Sequence, residues 1–85
     1  MNKQQQEQLG FMVMWVKDWQ VGFELSVTKA NGQDLELTRH QRHQIESLKW
    51  YAFMAESECK DLGLDPAIVL TDTMLQHANE YQAAQ

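Results

Sequence analysis

The sequence predicts a small α+β domain in the order helix, β-hairpin, helix, helix, and three observations carry that prediction. Val21, Phe23, Leu25 and Val27 alternate with Gly22, Glu24, Ser26 and Thr28, as in a strand with one dry face. A turn at Ala30-Asn31-Gly32 leads into a second alternation, Asp34-Leu35-Glu36-Leu37. From Thr38 onward, apolar residues return at spacings of three and four, the period of a helix.

With 85 residues the chain reads as one domain over 1–85, because two separate cores would each be too small to offset chain entropy. Hydrophobic residues make up 44% of it and charged residues 22%, a composition that folds. Glutamine crowds the ends (Gln4, Gln5, Gln6 and Gln8, then Gln82 and Gln85), so residues 1–8 and 82–85 read as frayed, solvated helix ends.

The first element spans Leu9–Trp19. Leu9, Met12, Val16 and Trp19 share one helical face while Phe11, Met14 and Trp15 occupy a second. A helix dry on two faces is sandwiched, within the domain or between two chains. A buried strand over Phe11–Val16 is the rival, since a short apolar run does not fix its own period. In the hairpin, a three-residue loop over Ala30–Gly32 with Gly32 left-handed sets Leu35 against Val27 and Leu37 against Leu25. A two-residue turn would mix the faces.

Thr38 with Gln41 three residues on forms a capping-box pattern. The helix it opens carries a seam of Ile45, Leu48, Ala52, Ala55, Cys59 and Leu62, small enough at its middle for a close helix neighbour. Trp50, Phe53 and Met54 lie to another side. Gly63-Leu64 reads as a C-cap, and Asp65-Pro66 opens a last helix with the stripe Ala67, Leu70, Met74, Ala78 and Tyr81.

Twelve acidic against seven basic residues give a net charge of −5, which argues against broad binding to DNA or anionic lipid. No apolar run approaches a membrane span of about 18 residues. The polar start lacks signal-peptide features. A lone Cys59 leaves no intrachain disulfide and points to a cytoplasmic, reducing setting.

Several constellations carry residue types capable of chemistry. Arg39, His40, Arg42 and His43 concentrate positive charge in the first turn of a helix, where cations oppose the helix dipole. They read as a solvated, partly paired face, with an anion or an acidic partner loop as the functional alternative. His40 and His43 with Glu36 or Glu46 lack a further ligand at defined spacing, so no metal and no other cofactor is expected. Cys59 sits on an apolar seam, where a thiol is inert, and neither a nucleophile elbow nor a glycine-rich phosphate loop is present. Catalysis is not expected.

The segment Glu58–Val69 resembles a helix-turn-helix, with a small residue four before Gly63 and an apolar one six after it. Asp72 then falls where that motif buries an apolar residue, and Pro66–Gln82 carries no Lys or Arg for phosphates. It reads as an ordinary helical corner.

The strongest functional signal is a protein–protein surface. Three Trp, three Phe, two Tyr and five Met are many large apolar groups for this length. Trp15, Trp19, Trp50, Tyr51 and Phe53 are the expected anchors, because aromatics dominate contact energies, and Arg39, His40, Arg42 and His43 would add specificity. A homodimer, formed through hairpin edges or the Leu9–Trp19 segment, or docking on another protein, is the expected partnership. Size and charge suit an accessory protein of a phage or mobile element that docks on a host protein and modulates it. Nucleic-acid or phosphate binding through Arg39–His43 is the alternative.

Overall fold

In the computed structural model, which describes residues 2–85, the domain is all helical. Five helices follow one another: α1 (Lys3–Ala30), α2 (Arg39–Glu46), α3 (Leu48–Asp61), α4 (Pro66–Val69) and α5 (Asp72–Ala83). Its longest dimension is 45 Å, and α1, at about 42 Å for 28 residues, runs nearly the whole of it.

The predicted α+β class is therefore corrected. No strand exists among the described residues, and the segment assigned to the first hairpin strand is the last third of α1. The physical reason lies in helix geometry. Two steps along a helix turn about 200°, so alternate residues fall on opposite sides. Val21 and Leu25 sit on one side of α1, Phe23 and Val27 toward the other. Alternation over so few residues marks a strand or a helix apolar on two faces, and here it marks the latter. Extending a helix already formed adds a hydrogen bond per residue with no new nucleation, whereas a lone hairpin is marginal.

The turn at Asn31-Gly32 is real but caps a helix instead of joining strands. Gly32 is left-handed (φ 82°) and its N–H donates to Lys29 O, while Asn31 N–H donates to Val27 O. Residues 33–38 then form no regular element, with Leu35 and Leu37 half-buried. At the other end, Asn2 and Gln5 form a capping box that opens α1 at Lys3, and residues 2–7 are exposed; Met1 lies outside the described residues.

Thr38 and Gln41 cap α2 reciprocally, at 3.1 and 2.9 Å. The helix predicted to run on to Leu62 bends at Ser47, dividing it into α2 and α3, although Tyr51 N–H still donates to Ser47 O at 2.9 Å. The C-cap at Gly63 (φ 75°) is a Schellman motif: Leu64 N–H reaches Cys59 O and Gly63 N–H reaches Lys60 O. The predicted last helix also divides. Asp65 and Pro66 start α4 as expected, but Leu70 is extended and Thr71 caps α5, its Oγ1 accepting from Met74 N–H at 3.2 Å. That break turns Leu70, Met74 and Ala78 into the core and leaves Ile68 outside, 82% exposed.

Helix α3 is the centre. It runs antiparallel to α1, as contacts from Gln8–Asp61 through Met12–Cys59 to Trp15–Tyr51 require. On its other side it packs against α5. Ala52, Ala55 and Cys59 are fully buried, so the small residues on this seam do admit close neighbours. At Gly22 of α1, α2 approaches so closely that no side chain fits: a Cβ there would lie 2.6 Å from Gln44 O.

Candidate interaction surface

The core takes one side of α1 and leaves another open. Met12, Trp19 and Gly22 are buried against α2 and α3, with Trp15, Val16 and Phe23 packed beside them. Across the helix, Phe11 (53% exposed), Met14 (41%) and Val21 (41%) face solvent. With Asp18, Leu25 and Thr28 they follow the spacing 3-4-3-4-3, a second seam on the same helix. Leu25 and Asp18 are half-buried at its margin, where Gln44 Nε2–H of α2 donates to Asp18 Oδ1 at 3.1 Å.

The expected anchors are mostly spent in the core. Trp19 and Tyr51 are 5% and 3% exposed, which removes both from any surface. Trp19 stacks on Phe23 (centroids 4.9 Å apart) and its Nε1–H donates to His77 Nδ1 at 3.0 Å. Trp15, Trp50 and Phe53 are half-buried; Trp15 stacks on Tyr51, meets Trp50 edge-on, and Phe53 lies against Tyr81. Trp15 Nε1 is buried without an acceptor among the described residues. Phe11 and Met14 were visible in the sequence as a second face. Val21 and Leu25 were missed because the helix was ended too soon; the 3-4 spacing carried past Trp19 would have found them.

A groove of about 510 Å³ lies between the α2–α3 bend and α5, lined by Ile45, Leu48, Lys49, Trp50, His77 and Tyr81 among others. His77 was not singled out by the sequence. Burial holds its pKa below the ordinary 6.5, with Lys49 adding to that and Glu80 opposing it. Because Nδ1 accepts from Trp19, the neutral ring carries its proton on Nε2. Lys49 Nζ pairs with Glu80 at 3.3 Å, and the hydrogen bond from Lys49 is the main cause that holds the Glu80 carboxyl below its usual range.

Arg39, His40, Arg42 and His43 all project into solvent from α2, and neither arginine forms an ion pair among the described residues. His43 meets Tyr51 edge-on, with centroids 6.2 Å apart. Cys59 is buried, its thiol raised in pKa first by desolvation and then by Glu56, and its Sγ–H points at Met12 Sδ, 3.1 Å away. Among the described residues no three His, Cys, Asp or Glu side chains converge as metal ligands, and no helix is long and apolar enough to cross a membrane.

No family model, no curated protein and no solved structure matches the chain.

Proposed function

We propose that this chain is a non-catalytic protein-interaction module whose docking surface is the open face of α1. One observation carries the reading: a helix already covered on one side by the core presents Phe11, Met14 and Val21 to water on another. Scattered single apolar residues are ordinary on a surface, but apolar residues recurring along one helix face, here on either side of Asp18, are the form a partner groove recognises. Two of the groups with chemical potential are engaged elsewhere. The Cys59 thiol is sealed in the core and His77 Nδ1 is occupied by Trp19. A cytoplasmic setting goes with the single, unpairable thiol. Docking on another protein and modulating it, as a phage or mobile-element accessory protein would, is one form of this activity.

The test compares the native chain with a Phe11→Glu, Met14→Glu double variant, both immobilised. Unchanged circular dichroism in the variant, with loss of a protein retained by the native chain, is the expected result. Identical retention by both forms would reject the surface.

A second reading, anion or nucleic-acid binding through α2, is favoured by Arg39 and Arg42, which stand exposed there and form no ion pair among the described residues. Binding of that kind weakens steeply with salt, whereas apolar docking hardly responds.

A further inference from the structure

We propose that the occupant of the open α1 face is a second copy of this chain, the two α1 helices packing antiparallel about a two-fold axis between Trp19 and Gln20. The inference rests on the interaction-module reading and names its partner.

The seam and its flanking charges select this arrangement. Phe11, Met14, Asp18, Val21, Leu25 and Thr28 alternate as the two inward positions of a helix pair over about 27 Å. With the axis between Trp19 and Gln20, Met14 lies against the partner's Leu25, Phe11 against the partner's Thr28, and Asp18 against the partner's Val21. The seam's outer edge carries Lys17 and Glu24, one heptad apart, both exposed and neither in an ion pair among the described residues. In this register Lys17 stands opposite the partner's Glu24, and symmetry makes the same pair again at the other end.

The competing arrangements fail on charge. Sliding one helix by a heptad in one direction sets Glu24 against the partner's Glu24; sliding it in the other sets Lys17 against the partner's Lys17. A parallel pair stacks Asp18 on the partner's Asp18 in the middle of the seam. In the antiparallel register that carboxylate keeps its bond from Gln44 at the margin. Opposite charges at matched edge positions set orientation and register in helix pairs, and like charges there reject the alternatives. A contact of this length is at the small end of specific interfaces, so a micromolar dimer is the expected strength.

Sedimentation equilibrium on the native chain, Lys17→Glu, Glu24→Lys and the double reversal tests this. Both side chains are exposed and neither forms an ion pair among the described residues, so all four proteins should give the same circular dichroism. Each single reversal should raise the dimer dissociation constant roughly tenfold, and the double reversal should restore it to within about twofold. A native chain that stays monomeric at about 200 µM overturns the proposal, because a dimer too weak to form there is not the specific contact argued. A dimer indifferent to both reversals overturns it as well. If the chain is monomeric and yet loses another protein on Phe11→Glu, Met14→Glu substitution, the second copy falls and the interaction module stands. If that substitution changes no association at all, both fall.

Discussion

Two glycines in α1 should respond to alanine in opposite directions. A helix-interior glycine costs about 1 kcal/mol relative to alanine, so any glycine to alanine change in a helix starts with a gain of that order. At Gly10 nothing lies within 4 Å of the added Cβ, and the gain stands alone. At Gly22 the Cβ would meet Gln44 O at 2.6 Å, Gln44 C at 2.9 Å and Leu48 Cδ2 at 2.9 Å. Ordinary contact begins at 3.4 Å. The α2 backbone must therefore retreat by about 0.8 Å, and backbone cannot rotate aside as a side-chain tip can; overpacking of that kind costs about 3 kcal/mol. The movement also strains the Gln44–Asp18 hydrogen bond. The net effect of Gly22→Ala is a loss of about 2 kcal/mol. For a chain of this length that lowers Tm by about 10 °C, while Gly10→Ala raises it by about 5 °C. Thermal unfolding of dilute protein followed by circular dichroism reads both. If both alanines raise Tm, the close approach of α2 to α1 at Gly22 does not exist.

Further predictions concern the buried groups. His77 has its pKa depressed in the folded chain, so its contribution to stability is complete above the ordinary value of 6.5 and is lost as pH falls below it. Urea titrations at neutral and mildly acidic pH should show that loss, and His77→Asn, whose Oδ1 keeps an acceptor near the position of Nδ1, should remove it; an unchanged pH slope would refute the role of His77. Glu80 acts in a lower window, its stabilising pairing being lost only as pH falls below the ordinary 4.5, and Lys49→Met should abolish that acid dependence. Ala55→Leu should destabilise by about 3 kcal/mol, since Ala55 is fully buried on the packed seam of α3; tolerance of leucine would mean the helices are not that close. Thiol labelling of Cys59 should proceed only at the rate of unfolding, and rapid labelling of the native chain would contradict its burial.

What the sequence made legible were the caps and the small-residue seam. Thr38 with Gln41, Gly63 and Asp65-Pro66 each act locally through their own backbone, and a local signal needs no tertiary knowledge to be read. Ala52, Ala55 and Cys59 announced a close helix contact and make one. The breaks at Ser47 and Leu70 were not legible, because neither residue is a helix breaker and each bend serves packing: the first lets α2 lie on Gly22, the second turns Met74 and Ala78 inward. The burial of Trp19 and Tyr51 was not legible for a related reason. Composition counts Trp19 and Tyr51 as binding currency, but only the assembled bundle shows that the core uses them up.

The false strand and the open face have one origin. Residues 21–27 looked like a strand because every second residue is apolar, and in a helix that pattern describes apolar groups on opposite sides. A helix needs only one such side to join a bundle. Helix α1 keeps a second stripe over five turns, with Asp18 as the polar member and Lys17 and Glu24 at its edge. If that stripe served the domain's own stability, replacing it with charge would unfold the chain. Exposed as it is, Phe11→Glu with Val21→Lys should leave the stability of the monomer within about 0.5 kcal/mol of native. Unfolding measured on dilute protein checks this, and a loss of several kcal/mol would assign the stripe to the fold and not to a partner.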